Sequence, residues 1–172
     1  MEFKEQFNNR WHDIRNIILS EAKRQIKYCG KVDAAVLNER LREETGKWQR
    51  GVLSQGIWYR KFMNESPLNA AIFDKETEKL SLVVEPDKNK MPSKCLFYIV
   101  AIVMTAVLAY ILYTTTELSI VELCFYPVLF FVIAHTLYVP FDNKRKEQAA
   151  SEIIQEIDRQ LEEMHRHLEQ II

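Results

Sequence analysis

In the stretch RQLEEMH, Arg159 and His165 bracket five residues near the carboxy-terminal end of the 172-residue chain. A histidine can move protons near neutral pH and an arginine can hold developing phosphate charge, so the two residue types together are equipped for phosphoryl chemistry. On one helix, six residues correspond to about 120° of rotation, so the two side chains leave the helix in different directions. Leu161 and Met164 lie on an apolar seam, which puts Arg159 on the outer face and His165 beside the seam. The chemistry alone therefore favours a structural expectation: Arg159 bridges to Glu156 or Glu163 on a solvated face.

The remaining inventory is thin. The chain has no Gly-rich phosphate loop, no H-E-x-x-H, no G-x-S-x-G and no carboxylate pair in a recognisable frame. His12 and His167 have no visible ligand partners, and Cys29, Cys95 and Cys124 are odd in number and far apart. No metal, cofactor, zinc site or disulfide framework is expected, and reduced cytosolic thiols follow. A net charge of −1 gives no global signal for nucleic acid. The charge is nonetheless unevenly placed: residues 1–94 hold 18 Lys+Arg against 14 Asp+Glu, whereas residues 147–172 hold 2 against 7.

The element that carries Arg159 and His165 must be a helix. Ile154, Ile157, Leu161, Met164, Leu168 and Ile171 alternate three and four apart, with Ala150 at the preceding position, which is a heptad seam over about three repeats. So narrow a stripe needs a partner. The same helix in neighbouring subunits could supply it, and so could the more basic amino-terminal helix; in both cases the tail, residues 140–172, is an assembly element.

Phe3, Phe7, Trp11, Ile14, Ile18 and Ala22 share one face and predict a helix over about 3–27, ended by Gly30. Asp33 is a capping residue for a second helix over about 34–45, with Val32 and Leu37 placed as a hydrophobic staple and Gly46 as its stop. WQRGVLSQGIWYRKFM predicts a third helix with a glycine-weakened start, whose Trp58, Tyr59 and Phe62 either pack into the domain or sit at a membrane surface. Residues 70–84, AAIFDKETEKLSLVV, read as two short strands around a polar loop, and PDKNKMP as a linker.

Between these parts, residues 95–139 hold no Lys, Arg or Asp and only two Glu and one His. Cys95 to Tyr113 is a run of 19 uncharged residues, roughly 28 Å as a helix, and Ile120 to Val139 is a second run of 20, each long enough to cross a bilayer. TTTELS interrupts them, which predicts a helical hairpin. Lys88, Lys90 and Lys94 precede the first run and Lys144, Arg145 and Lys146 follow the second, so both termini are expected in the cytoplasm. The polar start MEFKEQFNNRW lacks the pattern of a cleaved signal, leaving insertion to the hairpin. Ala101, Thr105 and Ala109 allow close helix approach, within the hairpin or between chains. Glu122, Tyr126, Leu129, Ile133 and Thr136 share one face of the second run. That face either lines a channel with a hydrophobic constriction or packs against the first run.

The Arg159-x5-His165 spacing resembles the Arg-x4-6-His signature of HEPN domains. In that family the pairs of two subunits come together for metal-free RNA cleavage, with Asn, Asp or His usually following the Arg in active members; here that residue is Gln160. Together with the hairpin and the cytoplasmic helices, the chain resembles the small membrane accessory proteins of type VI-B CRISPR systems. The resemblance implies a ring-shaped homo-oligomer of roughly eight subunits that permeabilises the bacterial inner membrane once an RNA-guided, RNA-cleaving effector has recognised phage RNA. It implies no direct nucleic-acid binding, and Arg159 and His165 become remnants of a HEPN-like helix. The expected fold is mostly α and homo-oligomeric: a cytoplasmic helical region over 1–94 with a small β-hairpin, a transmembrane hairpin over 95–139, and a heptad helix over 140–172. The rival readings are a membrane-tethered HEPN-like ribonuclease and a plain anchored adaptor or immunity protein.

Overall fold

The computed structural model describes residues 2–49, 57–85, 94–115 and 120–172. Six α-helices follow in order: α1 (Glu2–Cys29), α2 (Ala34–Gln49), α3 (Ile57–Glu65), α4 (Pro67–Glu78), α5 (Cys95–Thr115) and α6 (Ile120–Glu169). The chain divides into two compact units. One comprises Met1–Lys90 with Ala150–Ile172, and the other comprises Met91–Ala149. The tail therefore joins the amino-terminal region in one unit, and the second unit continues about ten residues beyond the expected boundary at 139.

In the first unit, α1 ends where Gly30 takes φ 65°, a left-handed conformation that a side chain would resist. Asp33 caps α2 as its side chain predicts, its Oδ1 accepting from the Ala35 backbone N–H at 2.9 Å. Gly46 does not stop α2, which continues to Gln49. The reason is tertiary: Leu41, Glu44, Thr45 and Trp48 are all buried, and seating the Trp48 ring outweighs the roughly 1 kcal/mol that an interior glycine costs a helix. The third helix starts at Ile57; the expected glycine-weakened start at 50–56 lies outside the described residues, as does the linker at 86–92. Trp58, Tyr59 and Phe62 pack inward. Phe7, Trp11, Trp48, Trp58, Phe62 and Phe73 form one buried aromatic core from α1 to α4, with Phe7 5.8 Å from both Trp48 and Phe73 and Trp48 5.4 Å from Trp58. At its edge the Tyr59 hydroxyl donates to Asp74 at 2.6 Å; burial, then the neighbouring carboxylate, holds the phenol well above its ordinary pKa.

The expected β-hairpin over 70–84 is replaced, and no strand occurs among the described residues. Ala70, Phe73, Thr77 and Leu80 are buried at three- and four-residue spacing, a helical period, and Pro67 opens α4 where a missing N–H does no harm. Residues 80–85 do run without helical structure, but side-chain amides stand in for a partner strand. Asn38 accepts from the Leu82 N–H at 2.6 Å and donates to the Leu82 carbonyl at 3.0 Å. Gln160 treats Val83 the same way, at 2.9 and 2.8 Å.

In the second unit, α5 and the first part of α6 are apolar helices. Their most apolar 18-residue stretches have mean hydropathies of 2.6 and 1.4, which makes both long and apolar enough to cross a membrane. The expected second run and tail helix are one continuous element: α6 passes through Pro127 and Pro140 without a break. Little of this apolar surface is used internally, since Leu96, Ile102, Val103, Tyr110, Val128 and Leu137 are all more than half exposed.

Candidate functional site

Arg159 and His165 are both on α6 and have separate surroundings. The exposed Arg159 guanidinium lies between two carboxylates one turn away on either side, donating from Nη2 to Glu156 at 2.7 Å and from Nη1 to Glu163. The Glu156 hydrogen bonds, followed by the charges of Glu156 and Glu163, raise its pKa above an already high value, so it is a permanently charged cation paired with two carboxylates. His165 faces inward, its ring stacked at 12° on Trp11 with centroids 5.9 Å apart and lying 5.4 Å from Phe7. Its Nε2 is 2.8 Å from Asn8 Oδ1, and Asn8 Nδ2 in turn donates to Glu169 at 3.0 Å. Among the described residues the two share no hydrogen-bonded partner. Gln160, where the HEPN pattern carries other residues, holds the Val83 backbone.

The seam of α6 is filled from within the first unit. Ile157, Leu161 and Leu168 are buried as the heptad pattern places them, Ile154, Met164 and Ile171 are half-buried, and Ile153, outside the pattern, is buried as well. The buried face is thus wider than an a/d stripe, which suits a helix packed into a globular unit. Beside the seam, α1 meets α6 through Phe7 and Trp11 against His165 and through Arg15. Arg15 donates from Nη2 to Asp158 at 2.7 Å and also reaches Glu162 at 3.5 Å. The Asp158 carboxyl is held below its ordinary pKa chiefly by the Arg15 hydrogen bonds, against the opposing effect of burial.

The second unit brings α5 and α6 together along a polar and aromatic line. Phe97 stacks on Tyr138 at 3.7 Å, and Tyr98 lies 6.5 Å from Phe131 and stacks on His135 at 6.0 Å, its hydroxyl 3.4 Å from His135 Nδ1. Lys94 and Lys146 converge on Asp142, at 3.3 and 3.1 Å from Oδ2, and the Tyr138 hydroxyl donates to Oδ1 at 3.2 Å. On α5, Ala101 is buried, Thr105 and Ala109 are half-buried, and the Thr105 hydroxyl donates to the Ala101 carbonyl at 2.7 Å.

Phe131, His135, Tyr138 and Asp142 therefore define the face of α6 that meets α5. Tyr126, Leu129, Ile133 and Thr136 occupy the opposite side, about 170° round at 100° per residue. Tyr126, Leu129 and Ile133 are 44%, 41% and 50% exposed, and Thr136 is exposed with its hydroxyl returned to the Val132 carbonyl at 2.8 Å. Glu122, the fifth residue of that face, lies outside the described side chains, as does Cys124. Sequence reasoning counted the single His of residues 95–139 without its Tyr98 partner and missed the Asp142 cluster; the signal that could have found the latter is an Asp four residues before Lys146 in a run otherwise basic. Among the described residues no group of three or more His, Cys, Asp or Glu could hold a metal ion. Comparison of the chain with protein-family models, with curated proteins and with solved structures returns no match, so its function has to be argued from this geometry.

Proposed function

We propose that this chain is a non-enzymatic protein of the bacterial inner membrane, crossing it twice with both termini in the cytoplasm, and that copies of it assemble into a ring-shaped pore that permeabilises the membrane. The observation that carries the reading is the free face of α6. Tyr126, Leu129, Ile133 and Thr136 point away from α5, so packing of the hairpin on itself leaves them available for a neighbouring copy or for a pore wall. That face has polar ends and an apolar middle, the arrangement of a constriction that gates by dewetting. Arg159 paired with Glu156 and Glu163 and His165 stacked on Trp11 weigh against the tethered ribonuclease, because the two side chains leave α6 in different directions and share no partner among the described residues. The role of accessory to an RNA-guided, RNA-cleaving effector in antiphage defence, and a ring of roughly eight subunits, come from the resemblance to type VI-B accessory proteins.

The test is the membrane potential of bacteria expressing the protein, read with a voltage-sensitive dye with and without the activated effector, together with the mass of the detergent-solubilised particle. Depolarisation with a large homo-oligomer is expected, and Leu129→Asp or Ile133→Asp should change the conductance. A polarised membrane with a monomeric or dimeric particle overturns the pore. Unchanged conductance of an assembled variant removes α6 from its wall.

A further inference from the structure

Asp142 is fully buried although it is a carboxylate three residues beyond the apolar run of α6. A buried charge is costly unless partners compensate it, and here the Tyr138 phenol donates to Oδ1 while two ammonium groups lie 3.3 and 3.1 Å from Oδ2, as ion pairs without hydrogen-bond geometry. Orientation by the positive-inside rule depends on the number of Lys and Arg at the membrane edge and would need no such carboxylate. What the carboxylate adds is position: it draws Lys94, at the start of α5, and Lys146, on α6, onto one oxygen. The two side chains remain 36% and 37% exposed, and an ammonium group has three N–H donors, of which Asp142 engages at most one on each lysine. The cluster keeps a net positive charge. Lys144 and Arg145 are exposed beside it, and among the described residues no carboxylate forms an ion pair with either. The positive end of the α5 helix dipole begins at Cys95, directly after Lys94.

We propose that Lys94 and Lys146, pre-positioned by Asp142, bind the phosphate headgroup of an anionic phospholipid. The inference rests on reading α5 and the first part of α6 as membrane spans. Two ammonium groups gathered at one point match one phosphodiester, whose oxygens accept from both. The surrounding apolar surface selects a lipid over a soluble anion. Leu96, Leu137 and Phe141 are 72%, 71% and 60% exposed at the same ends of the two helices, where acyl chains would lie against them. A free phosphate would leave that rim in water.

The experiment uses the full chain in detergent, titrated with phosphatidylglycerol, with phosphatidylcholine and with inorganic phosphate, and reads retained ligand by native mass spectrometry. Wild type should retain phosphatidylglycerol over phosphatidylcholine, and millimolar phosphate should compete only weakly. Lys94→Gln/Lys146→Gln should lower that retention at least tenfold, from roughly fivefold per cation at an anionic surface. Lys94→Arg/Lys146→Arg should preserve it, which separates loss of charge from misfolding. Lys144→Gln/Arg145→Gln removes the same charge without touching the Asp142 cluster and should have the smaller effect. Asp142→Asn sharpens the test: it makes the region more positive, so diffuse attraction predicts tighter binding, whereas a site built by Asp142 predicts weaker binding. Equal loss in the two glutamine double variants, no preference between the two lipids, or retention of phosphate in place of lipid would each overturn the proposal. Carbonate extraction from phosphatidylcholine vesicles tests the spans separately. A chain that is extracted refutes the membrane reading, and one that stays inserted without a phosphatidylglycerol preference refutes only the headgroup site.

Discussion

Phe73 in α4 and Val132 in α6 are both large apolar residues on helices, but Phe73 is 0% exposed and Val132 is 53% exposed. The contrast extends to their whole units. In the first, the aromatic rings of four helices close on one another and His165 of α6 stacks on Trp11. In the second, Ala101 is the buried hydrophobic residue of α5, and most of the larger side chains on both helices point outward. A soluble helix hides an apolar stripe and shows a polar one, as α1 does; α5 has no polar stripe to show. Similar apolar residues thus serve two ends: in one unit they exclude water by packing on each other, and in the other they stay exposed on helices long and apolar enough to cross a membrane.

The largest effect should come from cutting into the packed unit. Phe73→Ala or Trp11→Ala removes a ring with several aromatic neighbours and should lower the stability of the first unit by about 3–5 kcal/mol, read from denaturant unfolding by tryptophan fluorescence in mild detergent. Val132→Ala should cost less than about 1 kcal/mol in the same experiment, because its surroundings are the detergent. Equal losses would mean that the second unit has a water-excluding core of its own, which would break the comparison.

A charge inverts the ranking. Val103→Arg and Val128→Arg, at residues 55% and 62% exposed, should each oppose membrane insertion by about 2.5–3.5 kcal/mol, measured as the inserted fraction in a translocon glycosylation assay. Val36→Arg on α2, 42% exposed, should stay within about 0.5 kcal/mol of wild type in unfolding. If the charged span variants insert normally, their exposed face meets water.

The docking of α6 on α1 should respond to pH. The Asp158 carboxyl has a folded pKa below its unfolded value of about 3.9, so its contribution is fully present above the unfolded pKa and is lost as pH falls through the folded one. Stability of the first unit should therefore hold from neutral pH to about 5 and decline below about 4, with Asp158→Asn flattening part of that decline. Arg15→Ala should cost about 1 kcal/mol at neutral pH, and a double-mutant cycle with Asp158→Asn should recover most of that as coupling.

What could be read from the sequence follows the range of the forces involved. The apolar runs, the α1 face, the Gly30 stop and the Asp33 cap depend on nearby residues and are legible. Helix α2 passing Gly46 depends on where Trp48 is buried, and the helical form of residues 70–78 depends on Phe73 meeting rings from α1 and α3. Those are distant partners that no local pattern reveals. The Asn38 and Gln160 clasps on residues 82 and 83 span 44 and 77 positions, and the extended segment they hold is what gave residues 80–84 the look of a strand. In the second unit, the Ala101 and Thr105 seam was visible as small residues four apart, whereas the Asp142 cluster needs Lys94 brought across from α5.

The smallest effect separates the two residues with which the chemistry began. Arg159 is solvent-exposed, and its glutamate partners lie on its own helix, so Arg159→Ala should leave the stability of the first unit essentially unchanged. His165→Ala removes a ring stacked on Trp11 and a partner of Asn8, and should cost more, about 1–2 kcal/mol. A catalytic pair would instead fail together: both variants would abolish RNA cleavage by the purified protein at little cost in stability. Unequal stability losses with no change in cleavage identify His165 as part of the aromatic core and Arg159 as part of a solvated helix face. The spacing that joins them in the sequence would then be a consequence of helix packing, in which the inward and outward sides of α6 alternate within a few residues.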